Sequence, residues 1–194
     1  MSLPSNEPSA AAAIARSKLA RLGRISQLAY VPDDFERSLR HWTEVMGAGP
    51  FLRIDHVKTT DGMYRGHPAD IDFAAAVGFW GDMQIELIRQ HSDVPSIYRD
   101  WKNAPDGDRL HHTCLTVDDL AQASEAARLG GLSIVQGGTL VGGTRFVYAD
   151  LGDGAPAQYL EIAQVAQATR EMMGWLLAAS RDWDGRDPIR TPGA

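Results

Sequence analysis

Residues 24–31, with Ile25 and the run from Leu28 to Val31 apolar, read as a short strand, and Pro32-Asp33-Asp34 then supplies turn and N-cap chemistry for a helix running to about Met46. Gly47 and Gly49-Pro50 stop that helix. Residues 51–57 read as a half-buried strand, Thr59-Thr60-Asp61-Gly62 as a turn, and residues 71–80 as a buried strand, with Gly81-Asp82 closing a hairpin into a strand at 83–88. The order is strand, helix, three strands. It returns further along: a strand at 110–117, a helix capped at Asp118-Asp119 and ended by Gly130-Gly131, then strands at 132–136, 144–150 and 158–163.

Laying Gln27 on His112 puts Asp34 on Asp119 and Phe35 on Leu120, and the closing strands 83–87 and 158–162 match as well. The chain therefore reads as an α+β protein with an N-terminal tail (1–23), a first βαβββ module (24–90), a connector (91–108), a second βαβββ module (109–164), and a C-terminal helix with its own tail (165–194). That helix spaces Met172, Met173, Trp175, Leu176 and Leu177 as an apolar stripe. The stripe is expected to pack on the outside of a module, with a lid over a cleft or an exchange with a second chain as the sharper alternatives.

Of the 194 residues, 25 are acidic and 19 basic, giving a formal charge of −6. No basic surplus exists to neutralise a phosphate backbone, so nucleic acid is not expected as a partner. No apolar run approaches the roughly 18 residues of a bilayer-spanning helix, so no membrane partner is expected. Cys114 is the sole cysteine, which excludes an internal disulfide and a multi-cysteine zinc site and points to a reducing, cytoplasmic setting. At 10–13 an alanine cluster precedes its basic residues, the reverse of a secretory signal; a solvated helix or frayed tail is expected there, with a cleaved targeting peptide as the alternative.

The repeat singles out Gln27, Glu86, His112 and Glu161. Each lies in an otherwise apolar strand, where an unpartnered charged or amide side chain is costly to bury. Equivalent strands of two modules can turn equivalent side chains toward one axis, where two carboxylates, an imidazole and an amide oxygen suit a divalent metal. The alternative is that Glu86 and Glu161 lie on solvent-facing sides of half-exposed strands. By alternation His111 faces away from any site, toward the surface or a supporting position. His41, His56, His67 and His91 show no ligand spacing and read as surface residues. Trp80, Trp101, Tyr98 and Trp175 read as core or interface aromatics, and Gly137-Gly138 and Gly142-Gly143 as a flexible turn with no phosphate-loop character.

The segments Ser26-Gln27-Leu28-Ala29-Tyr30-Val31, Gln84-Ile85-Glu86-Leu87, Leu110-His111-His112-Thr113-Cys114-Leu115-Thr116-Val117-Asp118-Asp119-Leu120 and Tyr159-Leu160-Glu161-Ile162 resemble the vicinal oxygen chelate superfamily, which includes glyoxalase I, methylmalonyl-CoA epimerase, extradiol dioxygenases and bleomycin-resistance proteins. The resemblance runs over residues 23–165. It implies paired βαβββ modules forming a cupped open barrel, a divalent metal (zinc, nickel, cobalt, manganese or iron) on Gln27, Glu86, His112 and Glu161, and a homodimer, to which the apolar face of the C-terminal helix would add contact area. Val31 stands where glyoxalase I usually carries an arginine for glutathione, a departure that puts that substrate in doubt.

The activity implied is that of a metal-dependent isomerase, epimerase or lyase acting on a small carbonyl compound. Glu161, and second Glu86, would be the base that removes a proton α to the carbonyl, with the metal stabilising the enediolate. Cys114, Ile88 and Tyr159 are expected to line the substrate pocket. The rival class is a metal-free, drug-sequestering binding protein. Oxygen-dependent ring cleavage fits least, because it needs two histidines and a carboxylate around iron and the set holds one histidine.

Overall fold

The computed structural model describes residues 9–102, 110–152, 155 and 157–191. Strand β1 (Gly23–Tyr30) leads into helix α2 (Phe35–Arg40), which follows α1 (Ala10–Leu19) in the chain and continues as a wider turn over His41–Val45. Strands β2 (Phe51–Val57), β3 (Met63–Tyr64), β4 (His67–Pro68), β5 (Phe73–Trp80) and β6 (Met83–Gln90) complete the first half. A short helix α3 (Ile97–Lys102) precedes the second half: β7 (Leu110–Val117), α4 (Leu120–Leu129), β8 (Ser133–Thr139), β9 (Arg145–Asp150) and β10 (Tyr159–Gln164). Helix α5 (Gln167–Arg181) and strand β11 (Ile189–Arg190) end it. The paired helices start alike: Asp34 accepts from Arg37 N and Asp119 from Gln122 N, each at 3.0 Å.

This is a mixed α+β fold with one curled sheet in the order β11-β2-β5-β6-β1-β7-β10-β9-β8-β3-β4 among the described residues. The centre is β1 against β7, antiparallel; outward from it, β6 runs parallel to β1 as β10 does to β7. One face of each half is closed by its helix. Phe35 and Leu39 of α2 pack on Ile85 and Leu87, and Leu120, Ala123 and Ala127 of α4 on Leu115 and Ile162. Strand β5 is buried at seven of its eight positions because α2 covers one of its faces and the interior lies on the other.

Several elements depart from the expectation. Residues 10–19 are a docked helix rather than a solvated helix or frayed tail, with Ala15 and Leu19 buried and Arg16 Nη1 donating to the Gly130 carbonyl at 2.5 Å. The β3–β4 hairpin, a stretch for which the pattern predicts no strand, extends the far edge of the sheet, with Met63 opposite Gly137 and Tyr64 opposite Gln136. Gly137 and Gly138 are thereby strand residues, not a flexible turn. A Cβ on Gly137 would stand 2.8 Å from the Phe146 carbonyl oxygen, and one on Gly138 would stand 3.1 Å from Thr59 Cγ2. The turn is Leu140–Thr144, where Gly143 has φ +86°.

The apolar stripe of α5 does not pack on the outside of a module. Leu176, with Met172, Met173 and Leu177, lies on Leu52, Val77 and Phe79, the inward side of the first half's strands. Most of that stripe is therefore occupied within the chain, while Trp175 stays exposed. The tail beyond it returns to the sheet: β11 adds to the edge of β2, and the Arg190 guanidinium sits 5.6 Å from the Trp175 ring centre. Among the described residues no helix is long and apolar enough to cross a membrane. Leu176 is fully buried, so Leu176→Ala is expected to cost roughly 2–5 kcal/mol by denaturant unfolding. A loss below about 1 kcal/mol would mean that α5 is not docked in solution.

Candidate functional site

The ladders fix which side chains meet. In β1–β7 Gln27 lies opposite Cys114 and Ala29 opposite His112; in β1–β6 Ala29 lies beside Glu86; in β7–β10 Cys114 lies beside Glu161. Directly paired residues share a face, as do residues two apart. Gln27, Glu86, His112 and Glu161 are therefore on one face, the inward one, because the alternate residues Ile85, Leu87, Leu115 and Ile162 pack on α2 and α4. His112 Nε2 stands 3.5 Å from Glu86 Oε2 and 3.4 Å from Glu161 Oε2, and each glutamate side chain is 13% exposed. The carboxylates are not on solvent-facing sides.

These contacts exceed hydrogen-bond length, and His112 Nε2 and Gln27 Oε1 are buried with no hydrogen-bond partner among the described residues. Two orphaned atoms, one imidazole nitrogen and one amide oxygen, beside two carboxylates form a donor set suited to a divalent cation. The spacing also fits, since two ligands each ~2.1 Å from one tetrahedral ion stand roughly 3.4 Å apart. Among the described residues no group of three or more His, Cys, Asp or Glu side chains is placed to hold a metal ion by itself.

Burial alone would lower the His112 pKa, but the flanking carboxylates of Glu161 and Glu86 outweigh it and raise it to about 9. Burial raises the Glu86 pKa, opposed by His112. Burial, reinforced by Glu161, also holds the Cys114 thiol well above its usual range, so it is a neutral wall group rather than a nucleophile.

His111 is not on the surface. Ala29 pairs with His112 and Tyr30 with Leu110, which leaves His111 as the extra residue of a bulge. A bulge suspends alternation, and the His111 ring is fully buried beside His112, among Tyr98, Trp101 and Tyr159. Its Nδ1 lies 2.8 Å from His112 Nδ1. Burial, then the neighbouring His112 charge, pushes the His111 pKa well down, so His111 accepts the Nδ1–H of protonated His112.

Gln27, Glu86 and Glu161 line a cavity of about 710 Å³ that both halves and α5 border, and His112 lies fully buried beside the two carboxylates. Cys114 also lines the cavity. Ile88 and Tyr159 do not: both are buried in the core, Tyr159 against His111. Three lining residues were not legible as site residues. Tyr98, on α3, bonds Tyr148 hydroxyl to hydroxyl at 3.1 Å. Gln84, which shares the Glu86 face, accepts from Gln27 Nε2 at 2.7 Å. Met173 reaches it from α5. His41, His56, His67 and His91 are exposed, Trp101 is buried, and Trp80 and Trp175 are half-exposed.

A family model described as the glyoxalase/bleomycin resistance protein/dioxygenase superfamily matches residues 26–148. No protein of curated function matches the chain in sequence. Solved structures of similar fold include a methylmalonyl-CoA epimerase from Mycobacterium tuberculosis, at TM-score 0.55 and 14% identity over 78% of this chain and 95% of that one. A hypothetical protein from Bacillus halodurans C-125 has TM-score 0.55 and 11% identity, with coverages of 75% and 96%. A Streptomyces coelicolor methylmalonyl-CoA epimerase variant in complex with 2-nitronate-propionyl-CoA has TM-score 0.51 and 15% identity, with coverages of 75% and 99%. At these identities the likeness is one of fold.

In chelator-treated protein an NMR titration is expected to place the His112 midpoint near pH 9. Its folded pKa lies above the unfolded value of about 6.5, so its stabilising contribution is complete below pH 6.5 and is lost as pH rises through about 9. A midpoint at or below 6.5 would show that the carboxylates do not offset burial.

Proposed function

The chain belongs to the glyoxalase/bleomycin resistance protein/dioxygenase superfamily, and we propose that it is a divalent-metal-dependent isomerase or epimerase that moves a proton α to the carbonyl of a small substrate. The observation that carries this reading is the convergence of Glu86 and Glu161 on the buried His112 Nε2, beside a cavity that Gln27, with its orphaned Oε1, also lines. Gln27, Glu86, His112 and Glu161 would hold the metal, which when bound polarises the substrate oxygen and lowers the cost of charge developing on it.

The remaining chemistry is the protein's own. Glu161, which lines the cavity, takes the α-proton. Glu86, the second carboxyl lining the cavity, would return a proton, and exchange with solvent between turnovers takes the proton from Glu161 and restores that of Glu86. Val77, Phe79 and Phe146 make the walls apolar and so exclude water from the carbanion. Tyr98 and Tyr148 supply the polar groups on that wall. Cavity size admits a small acyl group or keto compound.

Proton NMR in D2O, with short acyl thioesters, 2-oxo acids and hemithioacetals as probes, tests the reading. Glu161→Gln is expected to slow α-proton exchange by about 10²-fold or more while retaining a divalent ion through its amide oxygen. His112→Ala is expected to lose the ion. Unchanged exchange in Glu161→Gln removes Glu161 as the base. Wild-type protein that neither retains nor takes up a divalent ion supports a small-molecule binding protein instead.

A further inference from the structure

We infer that Met173, on the C-terminal helix, sets the direction of a hydrogen-bond chain that turns the Gln27 carbonyl oxygen into the cavity. Gln84 Nε2 donates to Met173 Sδ at 2.8 Å, and Gln27 Nε2 donates to Gln84 Oε1 at 2.7 Å. A carboxamide has a donor end and an acceptor end of nearly equal shape, so its outline does not decide which way it faces. A thioether does decide, because it accepts and has no hydrogen to give.

Met173 therefore draws the amino end of Gln84, which leaves Gln84 Oε1 toward Gln27. That oxygen draws the amino end of Gln27. What remains is Gln27 Oε1, buried on a residue 7% exposed and without a partner among the described residues. The consequence for ligation rests on the proposed metal site: the amide oxygen binds a divalent cation, whereas the reversed amide would present two hydrogens carrying positive partial charge. Met173 is thus a positioning residue two links from the site, and α5 is part of the machinery it covers.

Two measurements test this. In chelator-treated protein, nuclear Overhauser contacts are expected between the Gln84 side-chain amide hydrogens and the Met173 ε-methyl; if the Gln27 amide hydrogens instead face the cavity, without contact to Gln84, the inference is overturned. In Co2+ titrations of the full chain, Gln84→Leu is expected to weaken binding roughly ten- to hundredfold, and Gln84→Met, uncharged and of similar volume but an acceptor, to stay within about threefold of wild type. Equal binding by wild type and both variants overturns the inference and leaves the metal site standing. Wild-type protein that takes up no Co2+ overturns the metal site, and the Overhauser contacts still decide the chain.

Discussion

The interior depends on the antiparallel pairing of β1 with β7. That single ladder sets Gln27 opposite Cys114 and Ala29 opposite His112, so each of the two polar side chains faces a small one across the seam. Small partners leave room at the centre, and the outer neighbours, β6 and β10, fill its flanks with Glu86 and Glu161. A slip of one residue in this ladder would turn Gln27 and His112 into the helix-covered layers, where neither has a partner. The register of the core and the assembly of the site are one constraint.

Two carboxylates and an imidazole are expensive to bury, and the surroundings show how the cost is limited in the absence of a metal. His112 carries the positive charge between them, while the buried neutral ring of His111 takes its second N–H. Around this group the walls are aromatic and aliphatic, and α5 closes the open side of the first half. The same enclosure that raises the cost of charge in the resting site strengthens every electrostatic interaction with a substrate.

Much of this was legible in the sequence because it has a short-range signature. Asp34 and Asp119 announce their helices, the matched positions of Gln27 and His112 mark β1 and β7 as equivalents, and a carboxylate in Gln84-Ile85-Glu86-Leu87 and in Tyr159-Leu160-Glu161-Ile162 stands out against apolar neighbours. What was not legible depends on contacts across the chain. The stripe of α5 predicts burial but cannot say on which side of the sheet. The bulge that turns His111 inward exists only as a register between β1 and β7. Gln84 looks like any surface strand residue until Met173, 89 positions away, is placed beside it. Ile88 and Tyr159, chosen for proximity in the strands, are absorbed by the core instead of the cavity wall.

Every role proposed for the site requires that Gln27, Glu86, His112 and Glu161 form one metal centre. Crystals grown with Co2+, with anomalous differences collected at the cobalt edge, measure this directly. The expected result is a single strong peak within roughly 2.0–2.2 Å of His112 Nε2, Gln27 Oε1 and one oxygen of each glutamate. No peak between His112 Nε2 and the two carboxylates would contradict it.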